Sequence, residues 1–385
     1  MALKVGIVVP YSWSFRGGVP EHADHQARSL FALGHEARVV IGHDPPGRLT
    51  KALHPRIGRH DQPPDYVLPV GRSVIVPANG TLPNIVLSPA ALPRMRRIFA
   101  DERFDVLHVH EPITPAIGVY ALAAGPRPIV VTCHAAGGRL RWYPVGKAVW
   151  GVTANRVDYR IAVSERAAAA AEPYMGGPFE VIPNGVPLPR EADPGGRSGN
   201  AVFIGRVDAR KGLDVLLHAW PEVTRRTGAR LRILGADPLS VRWLMRRHGV
   251  IGEGVDIVGA VTEEERSREL LEASLLVAPS IHGESFGLVL VEAFACATPV
   301  VASKIEGYDD VVEEGTGVLV PPGDPAALAR AVIRLLEDET RRCALGVRAR
   351  EVAEARYAWP KIVGRMVEIY EGLVGAPAGA RAAAR

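Results

Sequence analysis

The amino-acid sequence predicts an α/β protein built from two consecutive domains with parallel sheets. Short runs rich in Val and Ile alternate with longer amphipathic stretches, which is the pattern of a parallel sheet covered by helices on both faces. This alternation is interrupted once and then starts again. The chain has 385 residues, which is large for one domain and suits two.

The first half contains these strand candidates in chain order: KVGIVVP, EARVVIG, FDVLHVH, RPIVVTCH, VDYRIAVS and FEVIPNG. Helical stretches such as EHADHQARSLFALG lie between them. The polar, Pro- and Gly-rich segment GVPLPREADPGGRSGN then interrupts the pattern at residues 185–200, which indicates an interdomain linker. We therefore expect a first Rossmann-like domain over residues 1–190.

The second half repeats the alternation with NAVFIGR, RLRILGA, VDIVGAV, ASLLVAPS, TPVVAS and TGVLVPP. These runs predict a second Rossmann-like domain over residues 191–358. One more amphipathic helix follows, YAWPKIVGRMVEIYEGLV at residues 357–374, and then a low-complexity tail.

Charge and cysteine content exclude several classes of protein. The net charge of +4 permits an anionic partner such as a phosphate or a lipid surface, and no nucleic-acid partner is expected. The three cysteines, Cys133, Cys296 and Cys343, are far apart and form no CxxC, which argues against a disulfide framework or zinc site and favours a reducing cytosol. No signal-peptide pattern occurs, and no apolar run reaches the roughly 18 residues that cross a bilayer, so any membrane contact is expected to be peripheral.

Candidate binding residues follow the predicted strands, where open α/β sheets bind ligands. Gly17 and Gly18 come after the first strand and before a helix, so backbone amides there could approach a phosphate. A glycine turn that only lets the helix pack is equally consistent with the pattern. The sequence lacks GxGxxG, which argues against a nicotinamide dehydrogenase.

Histidines mark the ends of two other strands of the first half. His134 follows RPIVVTC, a position that suits a ligand site, although a structural histidine explains it as well. His108 and His110 alternate along one strand, a spacing that could suggest metal binding. A strand that faces helices on both sides explains these two histidines equally, so no metal is assigned.

Two motifs of the second half carry charges at strand ends. Arg206, Arg210 and Lys211 form a cationic group that could neutralise a diphosphate leaving group, unless they belong to a solvated loop. Glu284 lies in a Gly-flanked turn before a helix, and Glu292 lies inside an apolar run, where a lone carboxylate is unfavourable without a partner. Because carboxylates accept hydrogen bonds from vicinal hydroxyls, we expect these acids to bind polyols, with water replacing the ribose at Glu292 in the empty protein.

These motifs resemble one family over almost the whole chain. Glu284 and Glu292 match the E-x7-E pair of the retaining GT-B glycosyltransferases of family four, and GRVDARKG, IPNGV, IAVSE and ESFGLVLVEAFACATPVVAS are similar to other motifs of that family. The first half is most similar to the actinobacterial phosphatidyl-myo-inositol mannosyltransferases, through PYSWSFRGGVPEH, PPDYVLPVGRSVIVPANGT, FDVLHVHEP and PRMRRIF. The resemblance implies two Rossmann-like domains facing across a cleft, with residues 359–385 returning to the first.

The same resemblance implies a reaction and a location. Mannose would pass with retention from GDP-mannose to the inositol headgroup of phosphatidylinositol, with the leaving phosphate assisting deprotonation of the acceptor. No cofactor is expected, and a divalent metal is not expected to be essential because Arg206 and Lys211 neutralise the diphosphate. The protein would be cytoplasmic and peripherally bound to the inner face of the plasma membrane.

The resemblance also assigns roles to individual residues. His134 would lie against the transferred sugar, Glu284 would bind its hydroxyls, and Glu292 would bind the ribose. The donor phosphates would be held by Arg206, Lys211, the amide of Gly18 and the amides around Ser285, Phe286 and Gly287. The acceptor would meet Tyr11, Gly17, Asn79 and Arg139. A basic amphipathic helix with Arg94, Arg96 and Arg97, together with Met95, Ile98 and Phe99, would lie on anionic lipid.

The chain departs from this subgroup on the acceptor side. Pro20 replaces a Gln, Ala135 and Ala136 replace hydroxyl residues, and Arg139 replaces a Lys. Two alternatives therefore stay open: an enzyme of the same fold that uses a UDP- or ADP-linked sugar and a soluble acceptor, and a non-catalytic GT-B subunit. The complete set of His134, Arg206, Lys211, Glu284 and Glu292 argues against the subunit.

Overall fold

The computed structural model describes residues 1–15, 17–54, 62–76, 83–135, 151, 153–250 and 252–376. The chain forms two compact units. The first comprises Met1–Asn184 and the chain from Trp359 onward, and the second comprises Gly185–Ala358. The segment at residues 185–200 belongs to the second unit.

The first unit is built on a sheet that has nine strands in the described part of the chain. They are β1 (Lys4–Ser12), β2 (Glu36–Gly42), β3 (Val67–Pro69), β4 (Val74–Ile75), β5 (Asn84–Ile85), β6 (Val106–His110), β7 (Ile129–Cys133), β8 (Tyr159–Ala162) and β9 (Glu180–Val181). Parallel strands follow the order β3-β2-β1-β6-β7-β8-β9, with Val5 of β1 between Ala37 and Val106. The order reverses between β1 and β6, which is where open sheets of this kind bind ligands.

The helices of the first unit cover both faces of this sheet. Those described ahead of the second unit are α1 (Gly18–Ala32), α2 (Arg48–Leu53), α3 (Ala91–Glu102), α4 (Ile117–Ala124) and α5 (Glu165–Met175). Residues of β1 alternate between the two faces: Ile7 packs with Ala27 of α1, whereas Val8 packs with Met95 of α3. Burial on both faces explains why the strands are continuous apolar runs.

The second unit contains a parallel sheet of six strands among its described residues. They are β10 (Ala201–Ile204), β11 (Leu231–Leu234), β12 (Val255–Gly259), β13 (Leu275–Ala278), β14 (Val300–Ser303) and β15 (Gly317–Val320). The order β12-β11-β10-β13-β14-β15 is the Rossmann order, and its reversal lies between β10 and β13.

Helices again alternate with these strands. They are α6 (Leu213–Thr227), α7 (Pro238–Arg247), α8 (Glu263–Glu272), α9 (Leu288–Ala295), α10 (Pro325–Glu337) and α11 (Glu339–Val352). Side chains cap the starts of four of these six helices. Thr262 and Glu265 form a reciprocal capping box before α8, and Asp237 accepts a hydrogen bond from the Ser240 amide at α7.

The last helix, α12 (Trp359–Gly375), belongs to the first unit. Its apolar face buries Ile362, Met366 and Ile369 in the same core cluster as Ile7 and Ala27. The final helix therefore returns to the first unit, as the resemblance implied. None of the helices described is both long enough and apolar enough to cross a membrane.

Candidate active site

Two loops of the second unit meet at the carboxyl ends of β10 and β13. Gly212, after the first of these loops, has φ +63°, and a Cβ there would lie 2.0 Å from the carbonyl oxygen of Pro279 in the second. The Ile281 amide also donates to the carbonyl oxygen of Arg210 at 2.7 Å. Only glycine permits this approach at a left-handed φ, so the GRVDARKG and ESFG loops become neighbours.

Lys211 and Glu284 form an ion pair where these loops meet. Lys211 Nζ lies 2.7 Å from Glu284 Oε1, and the side chains are 29% and 14% exposed. Ser280 Oγ donates to the same carboxylate oxygen at 3.1 Å and lies 2.9 Å from the Tyr308 hydroxyl. Because an ammonium has three donors, Lys211 can hold Glu284 and a ligand phosphate at once. The structure thus brings together two residues that the sequence predicted to bind the donor.

The cations of the GRVDARKG loop differ in their surroundings. Arg210 is bound to Asp208, with Nη2 and Oδ2 2.7 Å apart, so it orders its own turn. Arg206 is exposed, and no carboxylate of the described residues lies within ion-pair distance of it. Arg206 and Lys211, rather than all three cations, are therefore suited to an anionic ligand.

Glu292 has a partner that sequence reasoning missed. Arg266 of α8 places Nη2 2.9 Å from Glu292 Oε1, and the two side chains are only 16% and 15% exposed. The expectation that water would satisfy this carboxylate in the empty protein was wrong, because a buried charge is stabilised by a partner cation. Arg266 lies in a polar helix with no motif around it, so only the topology that packs α8 against α9 could reveal the pair.

The ESFG turn presents the start of α9. Gly287 caps this helix with φ +81°, and a Cβ there would lie 2.8 Å from the Tyr308 ring. Phe286 is buried and meets the Tyr357 ring edge-on at 5.7 Å between centroids, while Ser285 is half-buried. The first amides of a helix lack intrahelical acceptors, so those of α9 can donate to phosphate oxygens.

Gly17 and Gly18 begin α1 in the first unit. Gly17 is the N-cap, and its φ of −174° is extended backbone open to any residue. A Cβ at either position would meet nothing within 4 Å. Packing against the described residues therefore requires neither glycine, which weakens the packing alternative.

A buried hydrogen-bond network connects the histidines of the first unit. Gln26 Oε1 lies 2.8 Å from His110 Nε2, and His110 Nδ1 lies 2.9 Å from His134 Nε2. Gln26 Nε2 contacts both His108 Nδ1, at 2.9 Å, and the Tyr370 hydroxyl, at 2.8 Å. The last helix, the first helix and one strand thus meet at Gln26, and His110 connects Gln26 to His134.

This network determines where the protons lie. An amide oxygen only accepts, so His110 must donate from Nε2 and accept at Nδ1, and His134 must donate from Nε2. Burial lowers the pKa of His134 to about 4 and that of His108 to about 3. Burial, together with the neighbouring imidazoles, also lowers the pKa of His110. His134 is therefore a neutral imidazole at pH 7 whose Nδ1 carries the lone pair.

Two of these imidazoles, together with that of His22 on α1, could hold a metal ion. His22, His110 and His134 each bring a ring nitrogen within 4.8 Å of the others. His22 is buried, and neither of its ring nitrogens has a hydrogen-bond partner among the described residues. The sequence assigned no metal and expected none to be essential, and both statements stay predictions.

Glu111 fixes the loop that carries His134. Its Oε1 accepts hydrogen bonds from the amides of His134, at 2.7 Å, and Ala135, at 2.8 Å. Burial raises the pKa of Glu111, while these two bonds oppose the shift.

The residues predicted for the acceptor are only partly described. Tyr11 is the last residue but one of β1 and pairs with Ile85, and Pro20 is buried in the first turn of α1. Asn79, Arg139 and Ala136 lie outside the described residues.

Helix α3 differs from the predicted lipid-binding helix. Arg94, Arg96 and Arg97 are exposed as expected, but Met95 and Phe99 are buried in the core, with 0% and 9% exposure. The apolar residues of this helix therefore face the sheet, and its solvent face offers charge without a large apolar surface.

Solved structures similar to this chain show its fold. Sucrose-phosphate synthase from Thermosynechococcus elongatus has a TM-score of 0.72 at 21% identity, covering 98% of this chain and all of that one. Anabaena HepE in complex with UDP has a TM-score of 0.67 at 19% identity, covering 96% and 100%. Two Rossmann-like domains, with the last helix returning to the first, define a GT-B glycosyltransferase.

Sequence comparison identifies the family. The family model for glycosyl transferases group 1 matches residues 198–338, and that for glycosyltransferase family 4 matches residues 16–190. A phosphatidyl-myo-inositol mannosyltransferase of Mycobacterium leprae is 34% identical over 96% of both chains, and one of Propionibacterium freudenreichii is 33% identical over 96% of this chain and 94% of its own. A D-inositol 3-phosphate glycosyltransferase of Kineococcus radiotolerans is 33% identical over 53% of this chain and 54% of its own. The chain belongs to glycosyltransferase family 4.

Proposed function

We propose that this glycosyltransferase moves mannose from GDP-mannose to the inositol headgroup of phosphatidylinositol, with retention at the anomeric carbon. The observation that carries the proposal is the Lys211–Glu284 pair at the strand-order reversal of the second unit. It combines a cation for a diphosphate with a carboxylate for sugar hydroxyls. The names of the relatives that match nearly the whole chain support the sugar and the acceptor.

In the proposed reaction, an inositol hydroxyl oxygen bonds to the mannose anomeric carbon as the bond to the GDP oxygen breaks. The hydroxyl proton passes to the leaving phosphate on the same face of the sugar. Arg206 and Lys211 stabilise the charge that grows on the diphosphate. Neutral His134 lies against the sugar, where its ring orients a hydroxyl or faces the developing positive charge.

These two cations also support a reaction that does not need a divalent metal. They occupy the role that Mg²⁺ plays in many other nucleotide-dependent enzymes, namely neutralisation of the diphosphate. We expect turnover with GDP-mannose to persist in excess EDTA. Loss of turnover in EDTA that Mg²⁺ restores would show that the cations are insufficient.

The substrates are tested by incubating the protein with phosphatidylinositol vesicles and, separately, GDP-mannose, GDP-glucose, UDP-glucose or ADP-glucose. Mass spectrometry of the lipid fraction should show one added hexose with GDP-mannose only. NMR of the anomeric proton of the product reports whether configuration is retained. Equal transfer from a UDP- or ADP-linked sugar would contradict the proposed donor.

A second candidate is transfer to a soluble inositol phosphate. The partial match to the D-inositol 3-phosphate glycosyltransferase favours it, as do Pro20 and Ala135, which depart from the lipid-transferring subgroup. Adding myo-inositol 3-phosphate as a competing acceptor separates the two. Preferential glycosylation of the soluble compound would select the second candidate.

We also propose that the protein is cytoplasmic and binds the inner face of the plasma membrane peripherally. The exposed Arg94, Arg96 and Arg97 of α3 support this association, since anionic headgroups attract arginine. With Met95 and Phe99 in the core, attraction at α3 is mainly electrostatic.

A further inference from the structure

Helix α7 of the second unit leaves two large apolar side chains in solvent. Leu239 is 73% exposed and Trp243 is 58% exposed. They are four residues apart, so they lie side by side on one face of the helix. The opposite face of the helix packs against the rest of the unit, because Val241 and Met245 are buried in its core. Single exposed apolar residues are common, but an adjacent Leu and Trp on one short helix form a surface that favours a partner.

Arginines surround this apolar pair. Arg246 continues the same stripe at seven residues from Leu239, while Arg242 and Arg247 lie on its two sides. All three are exposed, and no carboxylate of the described residues forms an ion pair with them. The Arg247 guanidinium lies 5.3 Å from the centre of the Trp243 ring. The face therefore combines Leu and Trp at its centre with positive charge at its margins.

This arrangement suits an anionic phospholipid surface. An interfacial helix inserts an apolar face at the level of the headgroups while basic residues at the edges contact phosphates. Trp prefers the membrane interface, because its ring is apolar and its N–H remains able to donate. A protein partner would meet three arginines that need matching carboxylates, whereas a surface of anionic lipid supplies negative charge on every side.

We propose that α7 is a second membrane-contact element, through which the second unit binds anionic phospholipid with Leu239 and Trp243 inserted and Arg242, Arg246 and Arg247 on the headgroups. The inference extends the membrane association proposed for α3 to the other unit. The inference rests on that proposed function only for the biological role of the contact, because lipid binding is measured without any sugar transfer.

The test measures binding of the full chain to vesicles made of equal parts phosphatidylcholine and phosphatidylglycerol, with pure phosphatidylcholine as the reference. The charge variant R242Q/R246Q/R247Q should weaken binding by on the order of a hundredfold, since each arginine near an anionic surface contributes about fivefold. The apolar variant L239S/W243S should also weaken binding, and its residual binding should be more sensitive to salt.

A matched control removes the same charge elsewhere in the second unit. Arg330, Arg334 and Arg341 are exposed on α10 and α11, and no large apolar side chain of α10 is exposed beside them. R330Q/R334Q/R341Q should bind vesicles within about twofold of the unmodified chain, because charge far from the surface is screened. An equal loss in this control would overturn the proposal, since it would assign binding to net charge alone.

Trp243 supplies an independent readout. The chain has six tryptophans. Lipids brominated along the acyl chain should quench the fluorescence of Trp243, and W243F should therefore remove most of the quenching. Unchanged quenching in W243F would overturn insertion at α7. So would a change of oligomeric state in L239S/W243S with unchanged vesicle binding, which would assign the face to a second copy of the chain.

Transfer to phosphatidylinositol dispersed in detergent separates this inference from the proposed function. The α7 variants should retain turnover in detergent and lose it on vesicles. If neither the unmodified chain nor any variant transfers sugar in detergent, the proposed reaction is wrong. If the α7 variants nevertheless lose vesicle binding, α7 is still a membrane-contact element.

Discussion

Glu284 is the residue on which the proposed donor site depends. Its Oε1 lies 2.7 Å from Lys211 Nζ and accepts a hydrogen bond from the Ser280 hydroxyl at 3.1 Å. A carboxylate held from two sides keeps one orientation, and ordered acceptors bind sugar hydroxyls better than mobile ones. This arrangement favours hydroxyl binding, because a carboxylate held by Lys211 and Ser280 presents its remaining lone pairs as acceptors.

Removal of either partner should abolish most transfer. We expect Lys211→Ala and Glu284→Ala each to lower kcat by at least about a hundredfold, the usual effect of deleting an electrostatic stabiliser of the transition state. Both side chains are partly exposed, so the melting temperature of each variant should differ little from that of the unmodified chain. Steady-state kinetics measure the effect, with Lys51→Ala on α2 as an exposed lysine control. Turnover near that of the control would contradict the assigned roles.

Arg266 and Glu292 should act as one unit in donor binding. Without Arg266, Glu292 loses the cation that lies 2.9 Å from its Oε1 and, with it, a fixed orientation. We expect Arg266→Ala and Glu292→Gln each to weaken GDP binding by about tenfold, measured by calorimetry. The double variant should bind no more weakly than Glu292→Gln, because coupled residues are not additive. Additive losses would show that the pair is not coupled.

At the scale of elements, the loops after β10 and β13 depend on glycines that the sequence marks only as turns. Gly307 shows this best: it has φ +88°, and a Cβ there would lie 2.7 Å from the carbonyl oxygen of Glu284. The position of the Glu284 loop therefore depends on a residue more than twenty positions away in the sequence. No local pattern reveals that dependence.

Gly307→Ala should consequently impair the donor site more than a glycine substitution that only strains the backbone. Gly323 is the matched control, because its φ is +72° and a Cβ there would meet nothing within 4 Å. Both substitutions carry the backbone strain of about 1 kcal/mol, but only Gly307→Ala also displaces Glu284. We expect a rise in KM for the donor with Gly307→Ala and not with Gly323→Ala. Equal KM values in the two variants would remove Gly307 from the site.

Strands and helices were predictable where the period of the hydrophobic pattern agrees with which residues are buried. Apolar runs such as KVGIVVP became buried strands, because parallel strands between two helical layers are apolar on both faces. The amphipathic pattern of α3 was recognised, but the placing of Met95 and Phe99 against lipid was wrong, because both are buried. A pattern states that a helix has an apolar face, and the same pattern serves lipid binding and core packing equally well. Only the fold shows that Met95 points inward.

The site divides in the same way. Lys211 and Glu284 were predictable, because each belongs to a motif at a strand end, where parallel strands gather their loops. Arg266, Gln26 and Tyr370 were not, since they lie within helices and reach Glu292 or the buried histidines only through packing. Gln26 and Tyr370 are distant in the chain, yet their side chains are 2.8 Å apart. Pairs of this kind follow from topology rather than from spacing.

At the scale of the whole molecule, the buried histidines couple stability to pH. Burial lowers the pKa of His108 to about 3 and that of His134 to about 4, and His22 and His110 are lowered in the same direction. Unfolding returns each imidazole to its ordinary pKa near 6.5. The unfolded chain therefore binds more protons than the folded chain between about pH 6.5 and pH 4.

It follows that the free energy of unfolding falls as the pH is lowered below about 6.5. Each histidine that is protonated only in the unfolded chain contributes about 1.4 kcal/mol per pH unit across that window. Urea unfolding of the full chain at pH 7.5, 6.5 and 5.5, followed by circular dichroism, should show a midpoint that is nearly constant above pH 6.5 and decreases below it. His108→Gln should reduce this pH dependence, because one of the buried imidazoles is removed, whereas His248→Gln, outside the network, should preserve it. A midpoint that stays constant down to pH 5.5 would mean that the folded and unfolded chains bind these protons equally, and it would contradict the lowered pKa of the buried histidines.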